Sequence, residues 1–138
     1  MQLIELFRRV DRERREAYHR YLEKLRGKGV TVVLFGSRVR GDHHLHSDYD
    51  LLVISKKMLD VSPSNLEPAL TATTLNLTLQ QLEEKIHSSP LVLSAVLNGK
   101  IVLDELDLQL TLQELKKDAK AMGGEVTREY IRLPRNTN

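Results

Sequence analysis

Apolar residues recur at steps of three and four through the start of the chain. Leu3, Phe7, Val10, Ala17, Tyr21 and Leu25 form the stripe, interrupted by Arg14 and widened by Ile4, Tyr18 and Leu22. That spacing predicts one long amphipathic helix over residues 2–26, ended by Gly27 and Gly29. The period then changes. "VTVVLF" (Val30 to Phe35) is apolar and β-branched almost throughout, the pattern of a strand covered on both faces, and it stops at Gly36. "YDLLVIS" (Tyr49 to Ser55) repeats it. "KKMLDVSPSNLEP" reads as a loop from its Ser, Pro and Asn content, and Leu70 to Leu79 alternates as a half-exposed third strand should.

Downstream, "QQLEEKIHSS" reads as helix up to Pro90, and Leu91 to Leu97 as a second short helix before a turn at Asn98 and Gly99. "KIVLDE" is a short strand, "LDLQLTLQELKKDAKAMGG" a glycine-capped amphipathic helix, and "EVTREYIRL" a final strand before a frayed "PRNTN". Helices and strands intermix, which is an α/β (α+β) class without internal repeats.

Composition narrows this further. At 138 residues the chain has room for one domain, with 1–138 as its extent. A hydrophobic share of 41% against 29% charged is the balance of a soluble globular protein, and with aromatics at 4% the core must be aliphatic. The absence of cysteine excludes disulfides, thiolate metal sites and cysteine nucleophiles, so any metal must use oxygen or imidazole. No run of eighteen apolar residues and no signal-peptide core occur, so a cytoplasmic protein without a membrane segment is expected. Arg8, Arg9, Arg12, Arg14, Arg15 and Arg20 cluster in the first helix, but Asp11, Glu13, Glu16 and Glu23 interleave with them. With a net charge of only +2, this reads as a solvated face laced with ion pairs rather than a nucleic-acid patch.

One stretch does not fit a plain core. "LFGSRVRGDHHLHSDYDLLVIS" places a dense polar segment between two buried runs. Gly36 and Ser37 sit where the first strand must turn, and a glycine plus a hydroxyl there suit either an ordinary turn or a phosphate nest. Asp48 and Asp50 are two apart at the start of the next strand, so their carboxylates point to one face about 6.5 to 7 Å apart at Cα. One reading has them capping a turn and pairing with an arginine. The other has a cation neutralising both, with Mg²⁺ the natural choice for oxygen ligands shared with phosphates. His43, His44 and His46 in the intervening loop suit Zn²⁺, a base, or simply a polar exposed loop.

"GSRVRGDHHLHSDYDLLV" resembles the signature of the DNA polymerase β nucleotidyltransferase superfamily: Gly-Ser, a short spacer, then Ser-Asp-x-Asp followed by apolar residues. It is most similar to the minimal nucleotidyltransferases, closely over Gly36 to Val53 and more loosely over residues 1–103, leaving 104–138 unassigned. The resemblance implies a small mixed sheet flanked by helices, with the site in a cleft along it. It assigns Gly36 and Ser37 to the triphosphate of a nucleotide and Asp48 and Asp50 to Mg²⁺, with Ser47 supporting the carboxylate turn. Arg38 and Arg40 match the basic spacer as phosphate contacts or surface ion pairs, and Arg38 joins Gly36, Ser37 and Ser47 as a nucleotide-binding candidate.

The resemblance also implies transfer of a nucleoside monophosphate, AMP from ATP being favoured, onto a protein, RNA or small-molecule acceptor. Related minimal domains are encoded beside helical HEPN-type proteins and act as their antitoxins, so such a partner is expected, and a second copy of the chain is a further candidate. Active relatives carry a third carboxylate on a later strand, where the present sequence reads "TTLNLTL" and Asn76 takes the slot. Asparagine offers a carbonyl oxygen but neither charge nor a proton acceptor. The alternative to an enzyme is therefore a degenerate nucleotide-binding or interaction module, and a basic nucleic-acid module using the first helix is a third reading.

Overall fold

The computed structural model describes residues 2–41, 48–127 and 129–135. The long apolar stripe forms α1 (Leu3–Leu25), yet only its second half is covered: Ala17, Tyr18, Tyr21, Leu22 and Leu25 are buried, whereas Leu3 and Ile4 are exposed. Length explains this. A helix of 23 residues spans about 34 Å, and strands of six or seven residues span about 20 to 23 Å, so the helix outruns the sheet it packs on. The exposed face carries the expected ion pairs, Arg9 to Glu13 and Arg12 to Glu16.

Four strands make the main sheet: β1 (Val30–Phe35), β2 (Tyr49–Ser55), β3 (Ala72–Thr78) and β4 (Lys100–Asp104), in the order β3-β2-β1-β4. β1 runs antiparallel to both β2 and β4, and β2 runs parallel to β3, giving the mixed sheet expected from the resemblance. The two central strands are buried on both faces because each face has its own apolar layer. Val30, Val32, Leu51 and Val53 pack under α1. Val33, Phe35, Leu52 and Ile54 pack on the opposite side with residues of α4 (Leu79–Lys85), α5 (Pro90–Asn98) and α6 (Gln109–Ala121).

Polar pins fix the connections. Glu67 is buried and accepts from Arg20 Nε at 3.2 Å and Lys24 Nζ at 3.1 Å, which holds its carboxyl below the usual carboxylate range. Tyr21 donates its hydroxyl to the Val61 carbonyl, tying the same connection to α1. Glu105 accepts the amides of Gly27, Gly29 and Val30, and its carboxyl is likewise depressed by those bonds. These carboxylates are structural.

Several elements differ from the sequence reading. The loop after β2 contains a one-turn helix, α3 (Pro63–Leu66), with proline at its first position. β3 ends at Thr78, one residue early, because Thr78 and Gln81 form a capping box that starts α4 at Leu79. α6 begins at Gln109 rather than Leu106, with Asp104 Oδ1 accepting the Leu108 amide just before it. The tail is a two-stranded hairpin, β5 (Glu125–Val126) and β6 (Ile131–Arg132), rather than one strand. Its turn is made by the Thr127 hydroxyl, which accepts the amides of Glu129 and Tyr130. Among the described residues, no helix is long and apolar enough to cross a membrane.

Candidate active site

β1 and β2 lie side by side at the centre of the sheet, so the end of one and the start of the other meet. Phe35 is opposite Asp50 in the antiparallel register, which sets Gly36 directly beside the Asp50 side chain. Gly36 has φ +79°, and a Cβ built there would overlap Asp50 Oδ2. Both facts demand glycine: the left-handed backbone penalises other residues, and no side chain fits between the turn and the carboxylate. The chain then makes a single turn, α2 (Ser37–Arg40), closed by Gly41 at φ +78°. The Ser37 hydroxyl takes no hydrogen bond among the described residues.

Asp50 is half-buried, and its carboxyl is pushed above the usual range, first by burial and then by the Asp48 charge, with Arg40 opposing. Asp48 is exposed just ahead of the strand. The pair offers only oxygen donors and leaves like charges incompletely balanced, and that donor set fits a hard divalent cation. Among the described residues no group of three or more His, Asp and Glu side chains forms a ready-made cage. A cation at Asp48 and Asp50 would thus complete its shell from substrate oxygens and water.

Asp48, Asp50, Gly36 and Ser37 are brought together. Arg38 and Asn76 are not. Arg38 turns to the α1 face, where its guanidinium meets Asp11 Oδ1 at 3.1 Å and lies 4.3 Å above the Tyr49 ring, with only 6% of the side chain exposed. Tyr49 in turn stacks on Tyr18 at 4.3 Å. The arginine assigned to phosphate from the motif is used to hold α1 to the sheet, and Arg40, two residues on, is the one near Asp50.

Asn76 is corrected by register. β3 pairs Thr73 with Asp50 and Asn76 with Val53, and paired residues of parallel strands share a face. Asn76 therefore points toward the α1 layer with Val53, about 10 Å along the strand from the level of Asp50. There its Nδ2 donates to the Leu59 carbonyl at 2.6 Å, and its Oδ1 is buried with no partner among the described residues. The residue beside Asp50 on the same face is Thr73, which is exposed. Parity was the available signal: leucines 75 and 77 face the α5 layer, so 73 must as well. Ser47, Asp42 and the histidines His43, His44 and His46 lie outside the described residues.

Residues 16–120 match the nucleotidyltransferase domain family, a span that holds the whole sheet and both halves of this site. The chain belongs to that family. This nucleotidyltransferase domain is also similar to a solved toxin–antitoxin structure with AMP-PNP, at 22% identity over 72% of this chain and 80% of that one, with a TM-score of 0.47. No curated protein matches it. The polymerase β-like family and its mixed-sheet fold thus stand as expected from the "GS…SDYD" motif, and nucleotidyl transfer is the chemistry of the nucleotidyltransferase family at the general level.

Proposed function

We propose that the protein binds a nucleoside triphosphate, ATP in the first instance, across the Gly36-Ser37 turn and the Asp48–Asp50 pair, and transfers AMP to an acceptor with release of pyrophosphate. The observation that carries the reading is the contact of Gly36 with Asp50, which sets the glycine turn against a carboxylate raised by burial and by Asp48, without an intervening side chain. Ser37 would donate its hydroxyl to a phosphate oxygen, and Arg40 would balance charge from the exposed side. Asp48 and Asp50 would hold Mg²⁺, which when bound supplies neutralisation of the triphosphate and lowers the cost of attack at the α-phosphate. Rigid placement by two central strands supplies the positioning such in-line displacement requires.

The acceptor is proposed to be a protein, RNA end or small molecule, and the motif's likeness to minimal nucleotidyltransferases favours a helical HEPN-type toxin in the cytoplasm as partner. Titration of ATP and Mg²⁺ into the protein tests the site. We expect micromolar-range heat that is lost in Asp48→Ala with Asp50→Ala, and unchanged binding in that double variant would overturn the assignment.

A second reading keeps nucleotide binding without turnover. It is favoured by Thr73, since the position beside Asp50 brings no third carboxylate and no Asp or Glu lies between Glu67 and Glu83. Incubation with α-labelled ATP and candidate acceptors separates the two. If wild type transfers no label and Thr73→Asp gains transfer while Asn76→Asp does not, the binding module is the better description.

A further inference from the structure

On the face of the sheet that carries Asp50, a cleft of about 620 Å³ opens between Arg40, the polar side of α5 and the terminal hairpin. Its walls are Arg40, Ser94, Asn98, Val126, Thr127 and Ile131. One of these, Val126, comes from β5, one, Ile131, from β6, and Thr127 from the turn between them, all beyond the 16–120 span of the family match. The size falls within the range of small-molecule sites, about 300 to 1,000 Å³.

Strand register puts the cleft at the same end of the sheet as the carboxylate site. Asn98 is the last residue of α5, and two residues later Lys100 pairs with Leu34, next to Phe35, which pairs with Asp50. α5 also lies tight on β1, since a Cβ at Gly99 would overlap both the Ala95 carbonyl and Val33 Cγ1. The end of α5 is therefore fixed at the same end and face of the sheet as Asp50, and Arg40 borders both.

The lining has the chemistry of a nucleoside site. In α5 every residue is apolar except Ser94 and Asn98, which are four apart and so share one face, turned to the cleft. Among the described residues neither side chain takes a hydrogen bond. An amide offers a donor and an acceptor to a base edge, and a serine hydroxyl either role to a sugar. Opposite them, Val126 and Ile131 give an apolar wall. The hairpin that carries it is braced by Arg132, whose Nε donates to the Gly123 carbonyl at 2.6 Å and whose Nη2 meets Glu125 at 2.8 Å. Thr127 shapes the turn and spends its hydroxyl there.

We infer that this cleft binds the base and ribose of the nucleotide whose phosphates lie at Gly36 and Ser37, with Asn98 on the base edge, Ser94 on the sugar and the Val126–Ile131 wall against the ring. The inference rests on the phosphate reading proposed above, and the C-terminal hairpin becomes part of the substrate site. Calorimetry with ATP and with inorganic tripolyphosphate, each with Mg²⁺, tests it. Wild type should bind ATP more tightly than tripolyphosphate. Asn98→Ala and Ile131→Ala should each weaken ATP about five- to tenfold and Ser94→Ala about threefold, the loss expected for one hydrogen bond or one buried apolar contact.

Tripolyphosphate affinity should stay at the wild-type value in all three, which also reports that each variant is folded. Equal affinity of wild type for the two ligands, unchanged ATP affinity in the variants, or parallel loss of both ligands would overturn the cleft while leaving the phosphate site standing. Failure of wild type to bind either ligand would overturn both.

Discussion

On the α1 side of the sheet, Arg38 closes on Asp11 and covers Tyr49, and Arg20 and Lys24 close on Glu67. On the α5 side, Asp50 keeps a carboxyl raised by burial and by Asp48, beside Arg40 and a cleft whose serine and asparagine have no partners among the described residues. The same residue types thus have two fates, separated by one strand's thickness. Where opposite charges meet in a closed layer, their groups are consumed in holding elements together. Where a half-buried carboxylate keeps a like-charged neighbour, as Asp50 keeps Asp48, a cationic ligand would complete the pair.

The widest separation between the faces should appear at Gly36, which serves both. Gly36→Ala must adopt a positive φ and push Asp50 aside, so we expect a loss of about 2 to 4 kcal/mol in denaturant unfolding together with loss of ATP binding in calorimetry. A folded alanine variant with normal ATP affinity would break the contrast. Next in size is the arginine pair. Arg38→Ala should cost about 2 to 3 kcal/mol by removing a buried ion pair and a ring contact. Arg40→Ala should change stability by no more than about 0.5 kcal/mol but weaken ATP about tenfold. Urea melts and titrations on the two variants would reverse the assignment if the effects were exchanged.

Two smaller effects test the closed face alone. Tyr21→Phe removes the buried hydroxyl bonded to the Val61 carbonyl and should lower stability by about 1 to 2 kcal/mol, read in urea, without altering ATP affinity. Glu67→Gln acts through pH. The Glu67 carboxyl is depressed by Arg20 and Lys24, so it stabilises the fold above the ordinary carboxylate range, and that contribution is lost as pH falls through the range and below it. The variant should therefore melt below wild type at pH 7 and converge with it below about pH 4. A gap that persists at low pH would assign the loss to packing.

Much of this was legible in the chain. The two buried strands were read within their observed ends because short apolar runs, β-branched in VTVVLF and bounded by Gly29 and Gly36, match strands covered on both faces. Gly36 and the Asp48–Asp50 pair followed from the motif and from period-two geometry. What was not legible was set by pairing. Arg38 and Arg40 are equivalent as letters, and only the direction of the α2 turn gives one to Asp11 and the other to the open face. Asn76 looked like the missing carboxylate position because apolar residues flank it, but every residue of a strand with alternating pattern has such flanks. The register of β3 against β2 decides the face, and register is a long-range property. The hairpin was hidden because strands of two residues carry almost no periodicity.

The order β3-β2-β1-β4 puts the two strands that carry the Gly36–Ser37 turn and the carboxylates in the middle of the sheet. A ligand spanning their ends is therefore coupled to the last part of the fold to open rather than to a fraying edge. By mass action, ligand at a hundred times its dissociation constant adds about 2.7 kcal/mol to unfolding, roughly 9 °C in melting temperature for a chain this size. Heating the protein with a panel of nucleotides would thus rank its substrates before any acceptor is known.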